Sequence, residues 1–214
     1  MAQNDKQPTL KIASVAFLGV VLLAGCGAPP LQTSDLTETH FRETATVKDD
    51  DLENVATIST VYGWQSQPGI IAGRLSDTYL RAFIDKKSGH TEFQVYTWLR
   101  YPGDWRDYQQ VNYQTVNGLR TAALTTIGHT GVDCSLHAVG CIYMDQLGFD
   151  ISERDLRQLH SAYGSMPSHP WRFKLKAVNG ADFDAEITIA EIGGLLSKVD
   201  EYRNAKHLAQ RGGQ

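Results

Sequence analysis

Trp171, Phe173, Leu175 and Ala177 alternate with Arg172, Lys174 and Lys176, and a few residues on Phe183, Ala185 and Ile187 alternate with Asp182, Asp184 and Glu186. A strict period of two means strands with one face buried and the other wet, which commits this end of the chain to antiparallel sheet. The loop between the runs is constrained too. A two-residue turn at Asn179-Gly180 would set Leu175 against Asp184. A three-residue loop, Val178-Asn179-Gly180 with Gly180 at positive φ, sets Leu175 against Phe183. Lys176–Asp182, Lys174–Asp184 and Arg172–Glu186 then pair on the solvent side. Each such pair contributes a few tenths to about 1 kcal/mol, so their value lies in fixing register.

The same signature recurs upstream. Phe83-Ile84-Asp85 and Thr91-Glu92-Phe93 flank Lys86-Lys87-Ser88-Gly89, a hairpin loop in which Gly89 takes positive φ. Pairing Ile84 with Thr91 puts Ala82 opposite Phe93, Leu80 opposite Val95 and Tyr79 opposite Tyr96. Tyr101-Pro102-Gly103-Asp104-Trp105 reads as a turn. Asn117-Gly118 predicts a type I′ hairpin with Val111 facing Leu124 and Tyr113 facing Ala122. A further strand runs from about Val139 to Phe149. Ser152 opens a capping-box-like S-E-R-D start to a helix with Leu156, Leu159 and Tyr163 as its apolar stripe. A second helix spans about Ile189 to Arg203, with Gly193-Gly194 allowing close packing on the sheet. Short hairpins without long crossovers exclude a parallel α/β sheet. The fold expected is α+β: an antiparallel meander of about six to eight strands with two helices packed on one face.

The N-terminus speaks to location. A polar start with Lys6 and Lys11 precedes an apolar run from Ile12 to Ala24. As a helix those 13 residues span roughly 20 Å, short of the ~30 Å hydrocarbon core, which fits a signal peptide and not a membrane span. Leu23-Ala24-Gly25-Cys26 resembles the lipobox of bacterial lipoproteins at all four positions. The resemblance covers only the first 26 or so residues, and it implies cleavage before Cys26, a diacylglycerol on the Cys26 thiol and acylation of the new amine. Gly27 stands where an aspartate would resemble an inner-membrane retention signal, so the expected location is the periplasmic face of the outer membrane. The rest of the chain resembles the many bacterial lipoproteins without an assigned activity. The expected organisation is a signal peptide over 1–25, a lipidated N-terminus and flexible tether over 26–51, one α+β domain over 52–205 and a frayed tail over 206–214. Cleavage removes Lys6, Lys11 and Asp5 and leaves 18 basic against 23 acidic side chains, a net of −5. A net acidic body excludes nucleic acid as a natural partner. The covalent lipid is the membrane contact.

No nucleophile elbow, zinc-protease helix, phosphate loop or dinucleotide fingerprint occurs. No catalytic residue, metal ligand or cofactor is therefore assigned. Cys134 and Cys141, in an oxidising compartment, predict a disulfide. The alternatives are a metal- or redox-responsive loop built on Cys134, His137 and Cys141 with His129 and Asp133 nearby, or a periplasmic hydrolase using His129 in the 128–141 loop. The remaining signal is aromatic density: Tyr96, Trp98, Trp105, Tyr108 and Tyr113 lie within 18 residues, read as two neighbouring strands. Tyr96, Trp98, Arg100, Trp105 and Tyr108 are the expected binding face. The functional expectation is a noncatalytic envelope lipoprotein that binds a protein or a glycan.

Overall fold

The computed structural model describes residues 36–60, 76–135 and 141–208. The lipobox with Cys26, His137 and everything beyond residue 208 lie outside the described residues. The elements, in chain order, are α1 (Glu38–Thr44), β1 (Thr46–Lys48), β2 (Val55–Ser59), β3 (Ser76–Asp85), β4 (Thr91–Pro102), β5 (Tyr108–Thr115) and β6 (Gly118–Ala123). Then follow β7 (Thr125–Asp133), β8 (Ile142–Ile151), α2 (Glu153–Tyr163), β9 (Pro170–Ala177), β10 (Phe183–Thr188) and α3 (Ile189–Ala205). All ladders are antiparallel, so the coarse expectation of antiparallel sheet with helices is met. The finer one is corrected. Ten described strands make two sheets, ordered β1-β2-β3-β4-β8-β7 and β10-β9-β5-β6, with three helices and no simple meander. After Pro102 the chain leaves the larger sheet for the smaller one. It returns at Leu124, the single residue between β6 and β7.

Two hairpins keep the expected register. Ile84 pairs with Thr91, Ala82 with Phe93, Leu80 with Val95 and Tyr79 with Tyr96, and Gly89 takes φ 74°. Leu175 pairs with Phe183 and Arg172 with Glu186, with Gly180 at φ 77°. The solvent-side ladder forms, Lys174 lying 3.2 Å from Asp184 and Lys176 bonding Asp182. The third hairpin differs. Val111 faces Ala122 and Tyr113 faces Arg120. The turn sits at Val116-Asn117 and not at Asn117-Gly118, so each partner moves by two residues and the faces stay in phase. The cause is local: the Thr115 hydroxyl accepts from the Asn117 N–H at 3.2 Å and donates to the Gly118 carbonyl at 2.9 Å. Gly118 alone takes the positive φ, 113°.

The sheets face each other across a shared core, with the Phe149 ring 5.4 Å from Phe173 and 5.5 Å from Tyr113. Leu80, Val95, Ile192, Leu195 and Val199 join it from β3, β4 and α3. Both expected helices are capped by hydroxyls: Ser152 accepts from the Asp155 N–H, and Thr188 from the Glu191 N–H. Glu191, fully buried, accepts from the Thr60 hydroxyl at 2.5 Å and the Leu80 N–H at 3.3 Å, tying α3 to β3 and to the residue that follows β2. Among the described residues no helix is long and apolar enough to cross a membrane.

The tether is the second correction. Its described part folds onto the domain: α1 is capped by Thr37, β1 adds an edge strand to β2, and Asp49 bridges Lys86 at 2.9 Å and Lys206 at 2.8 Å. Those two ammonium groups hold the Asp49 carboxyl far below the ordinary carboxylate range. Lys206 and Leu208, read as frayed tail, are therefore held as well, Leu208 donating to the Arg203 carbonyl at 2.9 Å. The glycine pair receives α1 and not the sheet. A Cβ on Gly194 would lie 2.5 Å from the Phe41 Cβ, and one on Gly193 2.6 Å from the Glu38 carboxylate. Glu38 in turn bonds His160 on α2 at 3.0 Å and Ser197 on α3 at 2.8 Å, so one side chain joins three helices.

A second polar joint yields a pH prediction. Glu153 on α2 receives Arg203 at 3.0 and 3.1 Å and Arg157 at 2.8 Å. Burial pushes its carboxyl up, but the two guanidinium groups outweigh burial and hold it below its ordinary value. A depressed folded value gives stability that is complete above the unfolded carboxyl's 4.5 and lost as pH falls through the folded value. Urea titrations should show the unfolding midpoint dropping in that acid window. Glu153→Gln should lower the midpoint at neutral pH and flatten the acid loss. An unchanged acid slope in that variant would contradict this origin.

Candidate functional site

Alternation along β3 and β4 sends Leu80, Ala82, Val95 and Leu99 to the core and Tyr79, Arg81, Phe83, Gln94, Tyr96, Trp98 and Arg100 to the opposite, outer face. On that outer face the Arg81 guanidinium lies 4.3 Å from the Tyr96 ring centre and 5.3 Å from that of Phe83, and it bonds the Gln94 carbonyl oxygen. Tyr79 packs on Tyr96 at 4.8 Å. Burial pushes both phenols above their ordinary range. One register step on, the Arg100 guanidinium sits 5.9 Å from the Trp98 ring. Cations over aromatic faces contribute about 0.5–1 kcal/mol each where exposed and more where desolvated. Arg81 Nε and Arg100 Nε are buried and have no hydrogen-bond acceptor among the described residues.

The expected binding face is therefore only partly assembled. Tyr96, Trp98 and Arg100 do share it. Tyr108 belongs to the other sheet, buried at 4% exposure in the core, and Tyr113 likewise faces inward there. Trp105 lies in the connection between the sheets. Alternation assigns a residue to a face, but it carries no information on which sheet a strand joins. The aromatic run was read as two neighbouring strands, whereas the chain changes sheets between them.

Trp105 belongs to a second constellation, at one end of the space between the sheets. Asp145 takes an inward position on β8, opposite Leu99, and is 2% exposed. One carboxylate oxygen accepts from the Tyr101 hydroxyl and the other lies 2.8 Å from His129 Nδ1. Trp105 meets the His129 ring edge-on at 4.6 Å and Tyr143 at 4.8 Å, and the Arg106 guanidinium covers the Tyr101 ring at 4.5 Å. Burial first, and the bond to Asp145 second, push the Tyr101 phenol well above its ordinary range, so it serves as a donor.

His129 reaches Asp145 because β7 is bulged. Thr126 pairs with Leu147, Gly128 with Gln146 and His129 with Asp145, so Ile127 is an extra residue. Without that bulge His129 would oppose Met144 on the other face. A carboxylate accepts only, so Nδ1 is the donor in this contact and Nε2 is the ring nitrogen not bonded to Asp145. Sequence reasoning missed Asp145. Its signal was an acid at an inward position between Tyr143 and Leu147.

Among the described residues of the 128–141 segment no Cys–His–Asp triad is assembled, and both thiols are joined to each other. Asp133 caps its own turn, accepting from the Ser135 N–H at 2.9 Å. Cys134 and Cys141 are joined in a disulfide, S–S 2.00 Å, just beyond the last β7–β8 pair. Among the described residues no three His, Cys, Asp or Glu side chains are placed to hold a metal. The chain-entropy model gives a ring this short about 2.5 kcal/mol. Intact mass of unreduced protein should fall two daltons below the dithiol form, and two alkylatable thiols in native protein would overturn the pairing. No protein-family model matches the chain, and neither the curated proteins nor the solved structures include one similar to it.

Proposed function

We propose that the protein is an outer-membrane lipoprotein, held on the periplasmic face through lipid on Cys26, whose folded body is a noncatalytic binding module for an envelope protein or glycan. The single observation that carries the binding role is the outer face of β3 and β4, where Arg81 and Arg100 lie against aromatic rings with buried Nε–H groups that have no acceptor among the described residues. Tyr, Trp and Arg are the residues that dominate binding energy at protein surfaces. A buried donor left unmade costs about 1–3 kcal/mol, which a partner's carboxylate or hydroxyl would relieve. The disulfide supports an oxidising compartment, and peptidoglycan and outer-membrane proteins are the partners at hand there.

Tyr96 is too buried to remove cleanly, so the test uses Trp98→Ala with Arg100→Ala. Crosslinking in cells should capture a partner with the wild type, and the double variant should lose at least five-fold of that yield while its melting temperature holds. Equal capture by both proteins would contradict the reading. A hydrolytic role is the second reading, favoured by the Asp145–His129 pair alone, in which Nε2 would act as general base. It requires that His129→Ala abolish a turnover measurable in the wild type.

A further inference from the structure

A cavity of about 220 Å³ lies among α2, the β5–β6 hairpin, the start of β9 and the start of α3. Its walls mix apolar and polar groups, with Leu119, Leu159, Trp171 and Ile189 beside Tyr163, His169 and the Gln114–Thr115 end of β5. Leu159, Trp171 and Ile189 are buried core residues, whereas Leu119 at the hairpin stands 70% exposed. The walls are held in place before any ligand arrives. The Trp171 indole N–H donates to the Gln114 carbonyl at 2.7 Å, Tyr163 stacks on His169 at 4.6 Å with planes 14° apart, and the His169 carbonyl accepts from the Ile189 N–H at 3.1 Å.

We infer that this cavity is a binding site for one neutral aromatic ring bearing a hydroxyl, of the phenol type. Size sets the first limit. An apolar cavity of about 150 Å³ already admits benzene, and typical drug-sized sites begin near 300 Å³, so 220 Å³ holds a single substituted ring and not a fused pair. Wall chemistry sets the second. Among the described residues no Asp, Glu, Lys or Arg lines the cavity, so a charged ligand would find no counter-charge there, while the rings of Tyr163, His169 and Trp171 favour an aromatic ring. The third limit is polar. The Trp171 N–H and the Thr115 hydroxyl are already committed. The Tyr163 hydroxyl and the His169 ring have no hydrogen-bond partner among the described residues, and they are the groups that would meet a ligand hydroxyl. The ring can come from a free small molecule or from a tyrosine side chain presented by a peptide.

The test titrates the full chain with p-cresol, N-acetyltyrosinamide and benzoate, following the Trp171 indole N–H resonance assigned with Trp171→Phe. p-Cresol should shift that signal saturably, with a dissociation constant on the order of 1 mM as expected for so few atoms. Benzoate should bind at least ten-fold more weakly. Tyr163→Ala should weaken p-cresol at least five-fold. Leu119→Tyr, at an exposed position that spares the fold, should do the same by placing a ring at the mouth. Saturation by N-acetyltyrosinamide as well identifies a side-chain source, and saturation by p-cresol alone a free one. No saturable shift, equal binding of benzoate, or unchanged binding in both variants would overturn the proposal. Because the Trp98/Arg100 face is not involved, neither result bears on the binding role proposed for that face.

Discussion

Gly194→Ala is expected to destabilise the protein, although alanine is the better helix former by about 1 kcal/mol. The new Cβ would stand 2.5 Å from the Phe41 Cβ and 2.9 Å from the Arg42 amide nitrogen, neither of which is the free end of a flexible side chain. Overpacking of this kind costs typically 1–3 kcal/mol, so the net change is a loss of up to about 2 kcal/mol. Gly194→Leu cannot be absorbed by a small shift and should undock α1. The chain then also loses the burial of Phe41, which is fully enclosed and whose side chain contributes about 1.5–3 kcal/mol. Urea unfolding should show a midpoint decrease in both variants, larger for leucine. Limited proteolysis should newly cleave the α1–β1 segment of the leucine variant. A stabilised Gly194→Ala protein would mean that α1 does not seat on α3 as described.

That contact also marks where the sequence stops being legible. The hairpins around Gly89 and Gly180 could be read to the residue, because alternation fixed the faces and a single glycine fixed each loop. Around Asn117-Gly118 the hairpin was legible and its register was not, since the Thr115 hydroxyl shifts the turn by one position. α1 has seven residues and one buried side chain, Phe41, too little for a period to emerge. Its order comes from a notch of two glycines 150 residues away, and those glycines, read locally, argue against helix. Two sheets were read as one because face and period say nothing of strand order.

The candidate sites divide along the same line. Trp98 and Arg100 sit on one face because they are two apart on a strand, which the sequence states directly. Cys134 and Cys141 pair because the hairpin they close is local. His129 was noticed as a lone imidazole near an acid. Its true partner, Asp145, lies across a ladder whose bulge at Ile127 has no marker in the residues themselves. Pattern alone sends His129 to the wrong face. The one hint was Asp145, an acid on the buried side of β8, which must find donors there.

Anchoring through Cys26 is the claim on which location and partner both depend. Each buried methylene of an acyl chain contributes about 0.8 kcal/mol, so one chain binds reversibly and two or three hold firmly. In the proposed attachment the lipid on Cys26 is the membrane contact, and the net charge of −5 that the proposed cleavage would leave adds no attraction to an anionic surface. The direct measurement is incorporation of radiolabelled palmitate in cells making the wild type or Cys26→Ala, followed by separation of soluble and membrane fractions. The wild type should carry label and stay with the outer membrane, and the variant should carry none and leave that fraction. Equal labelling of the two proteins, or an unlabelled wild type, would contradict the account.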